Sequence, residues 1–248
     1  MKKLIALFLA LTLLLSFALP AFAEEPGDEP TDPPVAEEPP VETGEPKTVD
    51  DFDDLIAGKW YIPGVAYALE TGMMVGTGEA EFSPDGTVSR AMAVTTLWRI
   101  HGSPEPKSTT AFKDVPADRW YTKSVNWASE CYIVGGYGNG NFGPNDPVTR
   151  EQMAKMMFNY SDYCAYNRTI RGTIVTFTDW RSTHDYGLIP MQWALGCKLV
   201  AGTSETTLSP GGLTTRAQLA TLLMRFKEWI AVESTTKTCR HHFITRVS

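Results

Sequence analysis

Three arginines, Arg90, Arg150 and Arg216, constrain this chain more than any other feature, because the residues before them recur at constant offsets. Six residues before each stands a proline (Pro84, Pro144, Pro210); eight before, Phe82, Phe142 or Leu208; fourteen before, Gly76, Gly136 or Gly202. Twenty-three before come Tyr67, Trp127 and Trp193, each followed by alanine, and thirty before come Trp60, Trp120 and Tyr186. Each unit opens on Phe-x-Asp, at Phe52-Asp54, Phe112-Asp114 and Phe177-Asp179. The chain is therefore three copies of one unit, and it must fold as an array whose copies bury one another.

Punctuation within a unit predicts helix-loop-helix. Val125, Ala128 and Tyr132 lie at helical spacing, as do Val65, Ala68 and Gly72, with glycine expected to end the helix. The run Gly135 to Pro144 is too rich in glycine for regular structure beyond a brief extension at Ile133 and Val134. A second helix starts at Thr149, with Met153, Met156, Met157 and Tyr160 at core spacing. Thr149 with Gln152, and Thr215 with Gln218, fit a reciprocal capping box, whereas Ser89 keeps the cap and faces Met92.

These motifs, down to Thr149-Arg150-Glu151-Gln152, resemble the S-layer homology (SLH) domain. The resemblance implies a mainly α fold, three tandem helix-loop-helix units in a pseudo-threefold arrangement around a central three-helix bundle. It also implies non-covalent anchoring to the bacterial cell wall through an anionic, commonly pyruvylated, secondary cell-wall polysaccharide linked to peptidoglycan, as part of the S-layer. The expected segments are a signal peptide at 1–23, a linker at 24–50, repeats at 51–106, 107–170 and 171–228, and an irregular tail at 229–248.

The signal peptide follows from Lys2 and Lys3, the apolar run Leu4 to Leu19, and Ala21-Phe22-Ala23, and it places the mature chain outside the cytoplasm. Residues 24–50 hold seven prolines and a net charge of −9, so they read as an extended, disordered tether. The remaining chain, 51–248, is electrically neutral, which removes the electrostatic case for nucleic acid.

Expected ligand-binding residues are Arg90, Arg150 and Arg216, whose planar guanidinium suits a sugar-borne carboxylate, with free N–H groups at each helix start adding to the attraction. Trp60, Trp120 and Tyr186 are expected to stack on sugar faces. Asp54, Asp114 and Asp179 read either as structural groups or as hydrogen-bonding partners of sugar hydroxyls. Gly76, Gly136 and Gly202 read either as turn formers or as openings for ligand. An arginine at a helix start also suits tying down a neighbouring unit through these aspartates, and Trp127 and Trp193 read as core. Pairing each arginine with the aromatic of its own unit makes Arg150→Ala the more harmful change, because unit three has Tyr186 in place of tryptophan.

No catalytic residue, metal or cofactor is expected. His101, His184, His241 and His242 share no offset, and acids that recur in every unit suit binding better than a single cleft. A wall-active hydrolase and an envelope protein that binds another protein are the competing classes. Cys131, Cys164, Cys197 and Cys239 are expected as mostly free thiols or one irregular bridge, because Cys131 and Cys197 share one offset.

Overall fold

The computed structural model describes residues 47–109 and 112–244, with side chains as far as Glu233; the expected signal peptide and most of the expected linker lie outside them. Each unit supplies two helices. Unit one has α1 (Ile62–Glu70) and α2 (Arg90–Ile100), unit two α3 (Thr122–Glu130) and α4 (Arg150–Tyr163), and unit three α5 (Asp185–Gly196) and α6 (Arg216–Ile244). Thr149 and Gln152 close the capping box at α4, and Ser89 caps α2 through the Met92 N–H alone.

The units interlock cyclically. α3 packs on α2 of the preceding unit, α5 on α4, and α1 on α6, so the first unit closes onto the last. Where α2, α4 and α6 begin, three backbone bonds form a ring: Val88 N–H donates to Thr214 O, Thr214 N–H to Val148 O, and Val148 N–H to Val88 O. This ring marks the pseudo-threefold axis around which the second helices gather, with α2 against α4.

Alternation of small and large side chains lets the helices approach. A Cβ on Gly64 of α1 would come within 2.6 Å of the Thr221 backbone in α6. Ser124 of α3 meets Thr95 of α2 in a 2.7 Å hydroxyl bond. Trp127 and Trp193 are fully buried, as are Met153 and Met157. Trp193 also donates to Asn167 O at 3.1 Å, which satisfies its indole N–H in an apolar setting.

Three expectations are corrected. Tyr132 lies just past α3 in a left-handed conformation (φ 56°) and is 88% exposed rather than core; only unit one has glycine there, Gly72, with Lys198 as the third. The loops contain isolated bridges at Thr87–Thr215, Ser89–Pro147 and Thr149–Leu213, not an extension at Ile133. The segment expected as an irregular tail from 229 continues α6 to Ile244. Trp229 supplies the reason, since it packs against Trp193 and Phe226 and carries the helix past the third unit.

Candidate functional site

Each arginine at the start of a second helix reaches into the loop of the next unit. Arg90 donates from Nε to Phe142 O and from Nη2 to Gly135 O, both at 2.9 Å. Arg150 does the same to Leu208 O (3.1 Å) and Ala201 O (2.6 Å), and Arg216 to Phe82 O (2.7 Å) and Val75 O (2.6 Å). The guanidinium of Arg90 lies over the rings of Tyr137 and Phe142, and that of Arg216 over Phe82. Burial lowers the pKa of all three, that of Arg216 to about 10, with the acid of the receiving unit opposing the shift in each case. The arginines therefore hold the ring of units together through carbonyl groups rather than through the aspartates.

The backbone N–H groups expected to add to an anion's attraction at the helix starts are already engaged. Arg90 N–H donates to Asp146 O and Ala91 N–H to Pro144 O, while Arg150, Glu151, Arg216 and Ala217 repeat the pattern on the following unit. The next N–H is taken by the capping hydroxyl of Ser89, Thr149 or Thr215. No free donor of the first turn is left for a ligand.

The recurring acids and glycines have packing roles. Asp54 accepts from the N–H groups of Phe82 and Ser83, Asp114 from those of Phe142 and Gly143, and Asp179 from those of Leu208 and Ser209. At Asp179 the Leu208 N–H is the main cause holding the carboxyl below its ordinary value. A Cβ on Gly76, Gly136 or Gly202 would lie 2.6 Å from the ring of Phe52, Phe112 or Phe177. The glycines thus make room for the phenylalanine that opens each unit, a close approach within the fold and not a turn.

Two grooves open to solvent draw residues from all three units. One groove, about 310 Å³, joins Trp60 of unit one, Arg150 of unit two, and the loop Leu199–Thr203 with one face of α6 from unit three. Trp60 is 59% exposed and stands edge-on to the buried Tyr61 beside it, so its ring is held while a face stays free. A narrower groove of about 20 Å³ joins Trp120, Arg216 and the Met73–Val75 loop. At the third junction Tyr186 neighbours Arg90, and its hydroxyl donates to Glu151 at 3.0 Å; burial and this carboxylate raise its pKa to about 12. Aromatic and arginine are thus paired across units, Trp60 with Arg150 and Trp120 with Arg216, where the sequence reading paired them within one.

The roles of two groups escaped the sequence reading. Glu151, buried, accepts from the His184 backbone N–H (3.0 Å), from His184 Nδ1 (2.5 Å) and from Tyr186, and so ties α4 to the start of α5. Alanine stands at this offset in the other units, so the sequence marks Glu151 as singular within its motif without showing that it bonds His184 and Tyr186. Arg225 lines the Trp60 groove, nine residues after Arg216; Arg99 and Asn159 share its offset, so the repeat alignment does contain this signal.

Among known proteins, the S-layer homology domain model matches residues 51–93, 111–154 and 176–220. The chain belongs to the S-layer homology domain family, and its folded region is a non-catalytic, cell-wall-binding module of a secreted, wall-associated protein. It is 29% identical over 172 residues to an endoglucanase of Bacillus sp. (strain KSM-635), covering 69% of this chain and 18% of the relative. It is 26% identical to exoglucanase XynX of Acetivibrio thermocellus, covering 69% and 16%, and 29% identical to an S-layer protein of Bacillus licheniformis, covering 52% and 15%. The chain thus spans less than a fifth of the length of each of these three.

Proposed function

We propose that this module anchors its protein by binding an anionic, pyruvylated secondary cell-wall polysaccharide without covalent attachment, chiefly in the groove between Trp60 and Arg150. One observation carries the reading: an exposed indole and a guanidinium share one groove of about 310 Å³ whose walls include the polar side chains Thr203, Thr214 and Gln218. Two of the five N–H donors of Arg150 are committed to loop carbonyls, and the remaining ones suit a carboxylate. The indole suits the apolar face of the sugar bearing that carboxylate. Weaker contacts at the Trp120 groove act through effective concentration once the Trp60 groove is filled.

The relatives named endoglucanase and exoglucanase share this module, and the S-layer proteins share it too, which supports an anchoring role in place of a catalytic one. The test is co-sedimentation of the purified chain with cell-wall sacculi before and after mild-acid removal of ketal pyruvate. Binding that disappears with the pyruvate supports the proposal. Binding that survives its removal, or that follows a protein component of the wall instead, defeats it.

A further inference from the structure

The family match to unit three ends at residue 220, yet α6 runs on to Ile244, far beyond the lengths of α2 and α4. The added turns carry Arg225, Glu228, Trp229 and Val232 along the flank of the third unit. At the offset of Arg225, Arg99 donates to Met73 O and Asn159 to Ile133 O, so units one and two spend this side chain on their own loops. Arg225 has no hydrogen bond or ion pair among the described residues. It forms the common wall of the Trp60 groove and a second depression of about 840 Å³, and both share the loop Val200–Gly202.

The second depression is lined by Lys198, Glu228 and Trp229 as well as Arg225. Trp229 is fixed by stacking on Phe226 and by edge contact with Trp193, so the surface it presents is rigid. Across the two depressions the cations Arg150, Arg225 and Lys198 face one acid, Glu228, a local excess of positive charge within residues 51–248, whose total is zero. An uncommitted guanidinium between two aromatic-bearing hollows fits a chain with anions at intervals and apolar faces between them.

We propose that the extension of α6 turns the Trp60 groove into a longer track for an acidic glycan: Arg225 takes a second carboxylate, and the following sugars run over Trp229. The inference rests on the proposed polysaccharide binding and adds a subsite outside the repeated module. The track exists only in unit three, because the corresponding positions to Trp229 are Ser103 and Tyr163, beyond the end of α2 and at the end of α4.

The experiment uses the full chain with fluorescently labelled acidic polysaccharide released from sacculi. Arg225→Gln is compared with Lys227→Gln, which removes an equal charge on the same helix outside both hollows. Butanedione modification of arginines, read by peptide mass spectrometry, is run with and without the polymer. The expected result is a loss of about tenfold in affinity for Arg225→Gln, corresponding to one charge-assisted contact, with Lys227→Gln near wild type and Arg225 protected by polymer. If the wild-type chain binds no polymer, this inference and the proposed function both fall. If it binds and Arg225→Gln matches wild type, or Lys227→Gln weakens as much, or Arg225 stays reactive in the complex, the track alone is overturned.

Discussion

Replacing Arg216 by methionine separates its structural work from any contact with ligand. The side chain is 4% exposed, and methionine keeps much of its volume, so the polar loss dominates. Val75 O and Phe82 O lose charged donors at 2.6 and 2.7 Å. Hydrogen bonds to a charged group contribute about 1.5–3 kcal/mol each, and relief of the guanidinium desolvation that lowers its pKa offsets part of that sum. A net loss of about 3–4 kcal/mol follows, which for a domain of this size lowers Tm by roughly 10 °C. Arg216→Lys keeps the charge but cannot fork to two carbonyls, and its Tm is expected in between. Circular dichroism melts of the three proteins, paired with sacculus co-sedimentation well below Tm, decide the matter. A Tm within about 2 °C of wild type together with abolished wall binding would refute the reasoning, because Arg216 would then serve ligand and not the ring of units.

Three further changes test other parts of the structure. Trp60→Ala, at an exposed ring, is expected to alter unfolding free energy by less than about 1 kcal/mol while reducing polysaccharide affinity tenfold or more, read by titration and denaturant melts in parallel. Gly136→Ala places a Cβ 2.5 Å from Asn141 O and 2.6 Å from the Phe112 ring, and denaturant unfolding should show a loss of about 1–3 kcal/mol. Asp179 has a depressed folded pKa, so its stabilising contribution is complete above the unfolded value of 3.8 and is lost as pH falls through the lower folded value. The urea midpoints of wild type and Asp179→Ala should therefore differ at pH 6 and converge below pH 3.8.

Much of the architecture was legible in the sequence because a triplicated pattern has few ways to bury itself. The capping residues Thr149 and Thr215, the core tryptophans and the helix-loop-helix order follow from local chemistry. The partners of the arginines do not. Arg216 bonds to a carbonyl 134 residues away, and nothing near it in sequence distinguishes a guanidinium aimed at a backbone from one aimed at a carboxylate. The same limit explains why Gly76, Gly136 and Gly202 read as turn formers: each accommodates a phenyl ring from the start of its own unit, a distance of more than twenty residues. Arg225 was overlooked because its meaning is relational, resting on Arg99 and Asn159 being engaged where it is not.

The cyclic interlock also explains which positions recur and which drift. An isolated unit would leave the first N–H groups of its second helix and the guanidinium of its arginine without acceptors, and its loop carbonyls without donors; each is satisfied by a neighbour. Leaving such groups buried and unpaired costs about 1–3 kcal/mol apiece, so the arginine is required at every junction for closure of the ring, while the recurring glycine and aspartate hold the receiving loop in shape within its own unit. Positions outside this requirement are free to differ between units: Trp60, Trp120 and Tyr186 at one offset, and Arg99, Asn159 and Arg225 at another, with Trp60 and Arg225 lining one groove and Trp120 and Arg99 another. Threefold repetition is therefore a signature of folding, and selectivity for a particular wall polymer is to be sought where the three units disagree.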